Sequence, residues 1–168
     1  MALDITRNGW IANLDARVSG AVMRFRYGGS WFGYDLTVNA PGPNQINWMI
    51  ELATFNGLTG FRIWKADPGY GQCLQCNRTG SPPGPPDGGL NYWNPLNQPD
   101  DSDPDRAKAR FGQPQDWELF TIDVNVPTGT CLITNIYGDA YLRNVGGRVD
   151  CRGRTTTAPD VLTLVCDF

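Results

Sequence analysis

The 168-residue chain has no histidine, and that absence removes whole classes of chemistry. Ser–His and Cys–His nucleophile pairs are excluded, because each needs an imidazole base. Lysine is nearly absent as well: Lys65 and Lys108 are the only two, so almost every cation is an arginine. Charged residues make up 18% of the chain and the net charge is −3. No basic stripe is present, which argues against a nucleic-acid partner held by phosphate contacts. No run approaches the roughly 18 apolar residues of a membrane span. The first residues lack a basic stretch followed by an apolar core, so no secretory signal is visible. The expected location is the cytoplasm, or the outside by a non-standard route; a sequence beginning after a cleavage site is the alternative.

Five cysteines are present: Cys73, Cys76, Cys131, Cys151 and Cys166. An odd count without a signal points to buried thiols, with one or two disulfides the alternative for an exported chain. Cys73-Leu74-Gln75-Cys76 has C-x-x-C spacing but lacks a second such pair, a histidine or a helix to lower a thiol pKa. On a strand, residues three apart face opposite ways, so the two sulfurs should not converge.

What the chain does have is turn chemistry. Its 20 glycines and 13 prolines fall in short bursts, which disfavours long helices. Hydrophobic residues at 40% and aromatics at 11% are enough for a packed core in one domain. Three times an apolar segment meets a glycine turn and continues as an alternating strand. Val22-Met23-Arg24-Phe25-Arg26-Tyr27 leads to Gly28, Gly60-Phe61-Arg62-Ile63-Trp64 leads to Gly71, and Cys131-Leu132-Ile133 leads to Gly138. Each unit then closes on an apolar strand around Trp48, Trp117 or Leu162. A repeat of about forty residues decides the fold when it is present.

The predicted fold is all-β: a barrel with a pseudo-three-fold repeat and one long loop insertion. One domain spans residues 1–168, with units at about 10–57, 58–126 and 127–168 and the insertion at about 77–115. Trp10, Ala12, Leu14 and Ala16 alternate at the start of the first unit. Tyr34, Leu36 and Val38 read as a strand, and Asp105 to Arg110 as a helical turn. Trp48, Trp117 and Leu162 should meet near the pseudo-axis. An eight-stranded sandwich is the competing architecture.

These residues carry a resemblance. The Gly138 to Arg143 opening, Gly-x-x-Tyr-Leu-Arg in type, looks like the repeat of β-trefoil proteins, especially fascin-like and ricin-type lectin domains. Trp117-Glu118-Leu119-Phe120-Thr121-Ile122 is similar to the fascin-like closer, and Gln115-Asp116-Trp117 to the Gln-x-Trp signature of ricin-type repeats. The resemblance implies a β-trefoil barrel with sugar sites in surface hairpins, each using an aspartate and an aromatic.

A sugar site needs an aromatic platform for apolar ring faces, beside amides or carboxylates for the hydroxyls. Asn91, Tyr92, Trp93 and Asn94 have that composition, as do Asp139, Tyr141 and Asn144 in the third unit. Tyr137 lies near the latter group. Trp31, Tyr34 and Asp35 form a similar group around Gly33. Packing is the competing reading for Trp31 and Tyr141. The expected function is a non-catalytic, lectin-like protein whose partners are glycans or glycoproteins, with no cofactor and no metal, and homo-oligomerisation left open.

The alternative is a β-trefoil protease inhibitor presenting the Pro/Gly-rich loop at residues 81–89. A fascin-like actin-binding role fits less well, since it uses several domains with basic patches. The acidic run Asp100, Asp101, Asp103 and Asp105 offers oxygen ligands to calcium but reads as a solvated insertion. Without apolar neighbours it is equally poor for acid–base catalysis. Asn77-Arg78-Thr79 is a formal glycosylation acceptor.

Overall fold

The computed structural model describes residues 2–3, 20–38, 45–55, 57–66, 71–78, 86–93, 118–125, 130–136, 140–153 and 162–167. Twelve strands follow in chain order. They are β1 (Ala2–Leu3), β2 (Val22–Tyr27), β3 (Ser30–Trp31), β4 (Trp48–Phe55), β5 (Leu58–Lys65) and β6 (Cys73–Arg78). Then come β7 (Pro86–Trp93), β8 (Phe120–Asn125), β9 (Thr130–Asn135), β10 (Ala140–Val145), β11 (Arg148–Gly153) and β12 (Leu162–Asp167). Among the described residues there is no α-helix, and none long and apolar enough to cross a membrane.

Period-two alternation explains why these segments are strands. In β2, Met23 and Phe25 are buried while Arg24 and Arg26 alternate with them. Strand β5 repeats the pattern, with Phe61 and Ile63 inward and Arg62 and Trp64 outward. Six strands pair in a circuit that returns to its start: β2 with β4, β4 with β5, β5 with β8, β8 with β9, β9 with β12, and β12 with β2. Within it lie the largest fully buried side chains, Trp48, Phe25, Phe32, Phe61 and Phe120. Burying each of them contributes roughly 1.5–3 kcal/mol. Trp48 is central, with Phe32 stacked on it at 4.9 Å and Tyr34 edge-on at 5.0 Å. Trp117 and the side chain of Leu162, expected beside it, lie outside the described residues.

Hairpins β6–β7 and β10–β11 are joined to each other, and β10–β11 also to residues 36–38 after β3. Gly88 pairs with Cys151, and Thr37 bridges Arg148. Two hydrogen bonds reinforce the second joint: the Val38 N–H donates to Gly147 O at 2.7 Å, and the Val149 N–H to Leu36 O at 2.8 Å. Gly146 and Gly147 take φ of 61° and 94°, the two left-handed positions of a tight hairpin turn.

Two expectations need correction. Tyr34, Leu36 and Val38 do not form a strand. The chain turns at residues 33–36, with the Leu36 N–H donating to Gly33 O and Leu36 itself at φ 62°; only Thr37 and Val38 make bridges. Nor is the 77–115 segment all loop, because β7 occupies Pro86–Trp93. Pro86 begins that strand, where a missing N–H is tolerated, and β6 and β11 pair with it. Residues 10–16 and the helical turn expected at 105–110 lie outside the described residues.

Cys73, Cys76, Cys131 and Cys151 are buried thiols. Cys76 joins the core cluster, and its Sγ lies 3.7 Å from Cys151 O. Cys73 is absent from that cluster and pairs in register with Trp64.

Candidate binding face

The outward-facing residues of β4 to β7 form a single surface. Register places Glu51 beside Arg62, Met49 beside Trp64, Trp64 beside Cys73, and Gln75 beside Asn91. On this face the half-buried indole of Trp64 is braced from two directions. The Arg62 guanidinium lies over its ring at 5.1 Å, and its Nε1–H donates to Glu51 Oε1 at 3.4 Å. Glu51 Oε1 also receives Arg62 Nη2 at 2.8 Å, so one carboxylate oxygen holds both groups. The Glu51 side chain is 41% exposed against 15% for Arg62, leaving the carboxylate open to solvent. Arg62 Nε is buried and has no hydrogen-bond acceptor.

Beyond Trp64 the face turns to amides. Gln75 Nε2 donates to Glu118 Oε1 at 2.6 Å, and Glu118 is only 3% exposed. That carboxylate fixes Gln75 next to the exposed Asn91. Beside Trp64 in register is Cys73, itself fully buried; burial pushes its thiol well above the ordinary value, with the Glu118 charge adding to the effect. A thiol so placed stays protonated at neutral pH and is no nucleophile. An indole face, an accessible carboxylate and two amides together can hold an apolar ring face and its hydroxyl edge.

The residues singled out from the sequence separate under this register. Asn91 is exposed on the face. Tyr92, one residue on, turns inward: its ring stacks on Trp48 at 6.5 Å and its hydroxyl donates to Tyr34 O. Burial, with Tyr34 and Asp35 nearby, raises the Tyr92 phenol. Trp93 pairs through its backbone with Cys73, while its side chain, Asn94 and Asp139 lie outside the described residues. Tyr141 is 5% exposed. Asn144 is exposed, and its Oδ1 accepts the Gly147 N–H at 2.9 Å, closing the hairpin turn. The structure therefore does not gather Asn91, Tyr92, Tyr141 and Asn144 on one surface.

The group around Gly33 divides too. The Tyr34 hydroxyl donates to Asn47 O and accepts the Ala66 N–H at 3.0 Å. Asp35 Oδ1 accepts the Thr37 N–H at 3.1 Å. Trp31 is half-buried against Arg24 and Arg26. Sequence reasoning missed Glu51, Arg62, Gln75 and Glu118. Trp64 was the available signal, a tryptophan on the non-core side of a strand. Its neighbours depend on register across four strands, which local patterning does not carry.

No family profile matches the chain, and no curated protein matches it. Solved structures do. SeviL bound to asialo-GM1 saccharide superposes with a TM-score of 0.53 at 15% identity, over 88% of this chain and 96% of that one. The BEL β-trefoil in its apo crystal form 3 gives 0.57 at 13% identity, over 89% and 94%. ThreeFoil, a designed 3-fold symmetric protein, gives 0.51 at 10% identity, over 88% and 99%. With this likeness, the twelve-stranded all-β topology and the circuit of six strands, the chain is a β-trefoil protein by fold.

Proposed function

We propose that this β-trefoil binds carbohydrate without catalysis, through the outer face of β4 to β7. The observation that carries the reading is Trp64, a half-buried indole braced by Arg62 and Glu51 and followed along the face by Gln75 and Asn91. The ring would take the apolar side of a sugar; the Glu51 carboxylate and the amides would take its hydroxyls. SeviL, which shares the fold, is bound to a saccharide, and that supports the class of ligand. Trp93 and Asn94, two and three residues beyond Asn91, are proposed to extend the site. Asp139 and Asn144 on the third-unit hairpin are proposed as a separate contact. The repeat units proposed at about 10–57, 58–126 and 127–168 would place these two contacts on different units.

The inhibitor alternative gains nothing from the described residues. Part of its loop, Pro86 to Gly89, belongs to strand β7.

A glycan array with wild type and Trp64→Ala tests the proposal. The expected result is defined neutral-glycan hits that disappear in the variant while the melting temperature holds. An array without hits, or hits indifferent to Trp64→Ala, overturns it.

A further inference from the structure

A second aromatic–cation group lies on the outer face of β2 and β3, reached from Trp64 in register through Met49 and Val22. Trp31 pairs in register with Arg26. The Arg26 guanidinium lies 5.1 Å from the Trp31 ring centroid and that of Arg24 lies 5.2 Å from it. Alternation along β2 forces this arrangement, because Arg24 and Arg26 are two residues apart and so share a side, roughly 7 Å from each other along the strand. Two like charges held to one ring repel each other unless an anion lies between them.

Among the described residues no such anion is paired with Arg26. Its register neighbours are Trp31 on one side and Thr163 on the other. Its Nε is buried and has no acceptor. The described carboxylates nearest in topology are engaged elsewhere: Glu51 with Arg62, Asp150 with Arg143, and Asp35 with the Thr37 N–H. Arg24 sits one step nearer Asp167, whose backbone pairs with Val22. Arg26 is therefore the principal donor. A buried guanidinium N–H without an acceptor is costly to leave unmet, and the fork of donors suits a planar or tetrahedral oxyanion. The whole chain carries net charge −3, so the preference is local and not a property of overall charge.

We infer that Arg26, with Arg24 and the Trp31 ring, forms an oxyanion subsite that takes the sulfate ester or carboxylate of an acidic saccharide. Arg26 donates its terminal N–H groups to two oxygens of the group, the buried Nε staying out of reach. Trp31 holds the guanidinium planes and lends its remaining surface to the sugar ring. The saccharide part of this ligand rests on the carbohydrate-binding reading above; the oxyanion part rests on Arg26 alone.

Titration calorimetry with sulfated lactose, digalacturonate, lactose and inorganic sulfate tests it, using wild type, Arg26→Gln, Arg26→Lys and Trp64→Ala. Wild type should bind sulfated lactose or digalacturonate about tenfold more tightly than lactose. Which of the two binds better identifies the group. Arg26→Gln should abolish that preference, and Arg26→Lys should restore part of it, since the charge returns without the fork. Trp64→Ala should leave the preference for the charged sugar in place even where lactose binding is lost. Equal affinity of wild type and Arg26→Gln for the acidic sugars overturns the subsite, as does no preference over lactose in wild type. Lactose binding lost in Trp64→Ala, with no acidic preference anywhere, overturns the subsite and keeps the carbohydrate reading. If Arg26→Gln fails to fold, Arg26→Lys decides the matter: an undiminished preference in it counts against the fork.

Discussion

Trp48 and Tyr92 stack in the core with ring planes 16° apart, and the Tyr92 hydroxyl closes the contact by donating to the backbone carbonyl of Tyr34. Tyr92 thus ties the β6–β7 hairpin to the turn at residues 33–36 and to β4. Tyr92→Phe removes only the hydroxyl and should cost about 1 kcal/mol in urea unfolding. Saccharide affinity should stay unchanged. A loss of affinity at constant stability would return Tyr92 to the binding surface.

Trp48 and Trp64 should separate folding from binding. Trp48→Ala empties the centre of the core and should cost about 3–5 kcal/mol. Trp64→Ala leaves the core intact and should change stability by about 1 kcal/mol or less while abolishing neutral-glycan hits. Thermal melts alongside the array check both halves.

Gly60 lies where β5 runs close against the start of β8. A Cβ there would lie 3.0 Å from Leu119 Cβ and 3.1 Å from Phe120 O. Gly60→Ala should destabilise by about 1–3 kcal/mol, because backbone on one side and buried packing on the other both resist. A neutral result in equilibrium unfolding would mean that the two strands separate more easily than the register indicates.

Cys73 gives a pH prediction. Burial, then the neighbouring Glu118, holds its folded thiol well above the ordinary value. The folded state keeps the proton more tightly than the unfolded chain. The associated stability is therefore fully present below the ordinary thiol range, near about 8.5, and is lost as pH rises toward the folded value. Wild type should lose more stability than Cys73→Ala between neutral pH and mildly alkaline pH. Native protein should also resist iodoacetamide at neutral pH, with Cys73 labelled only after denaturation; mass spectrometry of the labelled peptides reads this directly.

The strands around the core were legible because their alternation is local. Met23 and Phe25 against Arg24 and Arg26, and Phe61 and Ile63 against Trp64, need no knowledge of partners. Tyr34, Leu36 and Val38 show the same spacing, yet the chain turns through Tyr34 and Leu36, since a leucine at φ 62° is a conformation that spacing does not reveal. Asn91 and Tyr92 were read together by composition, and the strand sends them to opposite sides. β7 was hidden by its proline and two glycines; its place comes from β6 and β11, and β11 lies about sixty residues away along the chain. Glu118 meets Gln75 across 43 residues, a separation that no local motif spans.

The tryptophans occupy unlike surroundings. Trp48 is sealed from water, whereas Trp31 and Trp64 reach the surface beside guanidinium groups. Intrinsic emission from this protein is therefore heterogeneous: a blue-shifted contribution from Trp48 reports whether the centre is intact, and a quencher-accessible one reports what rests on the outer faces.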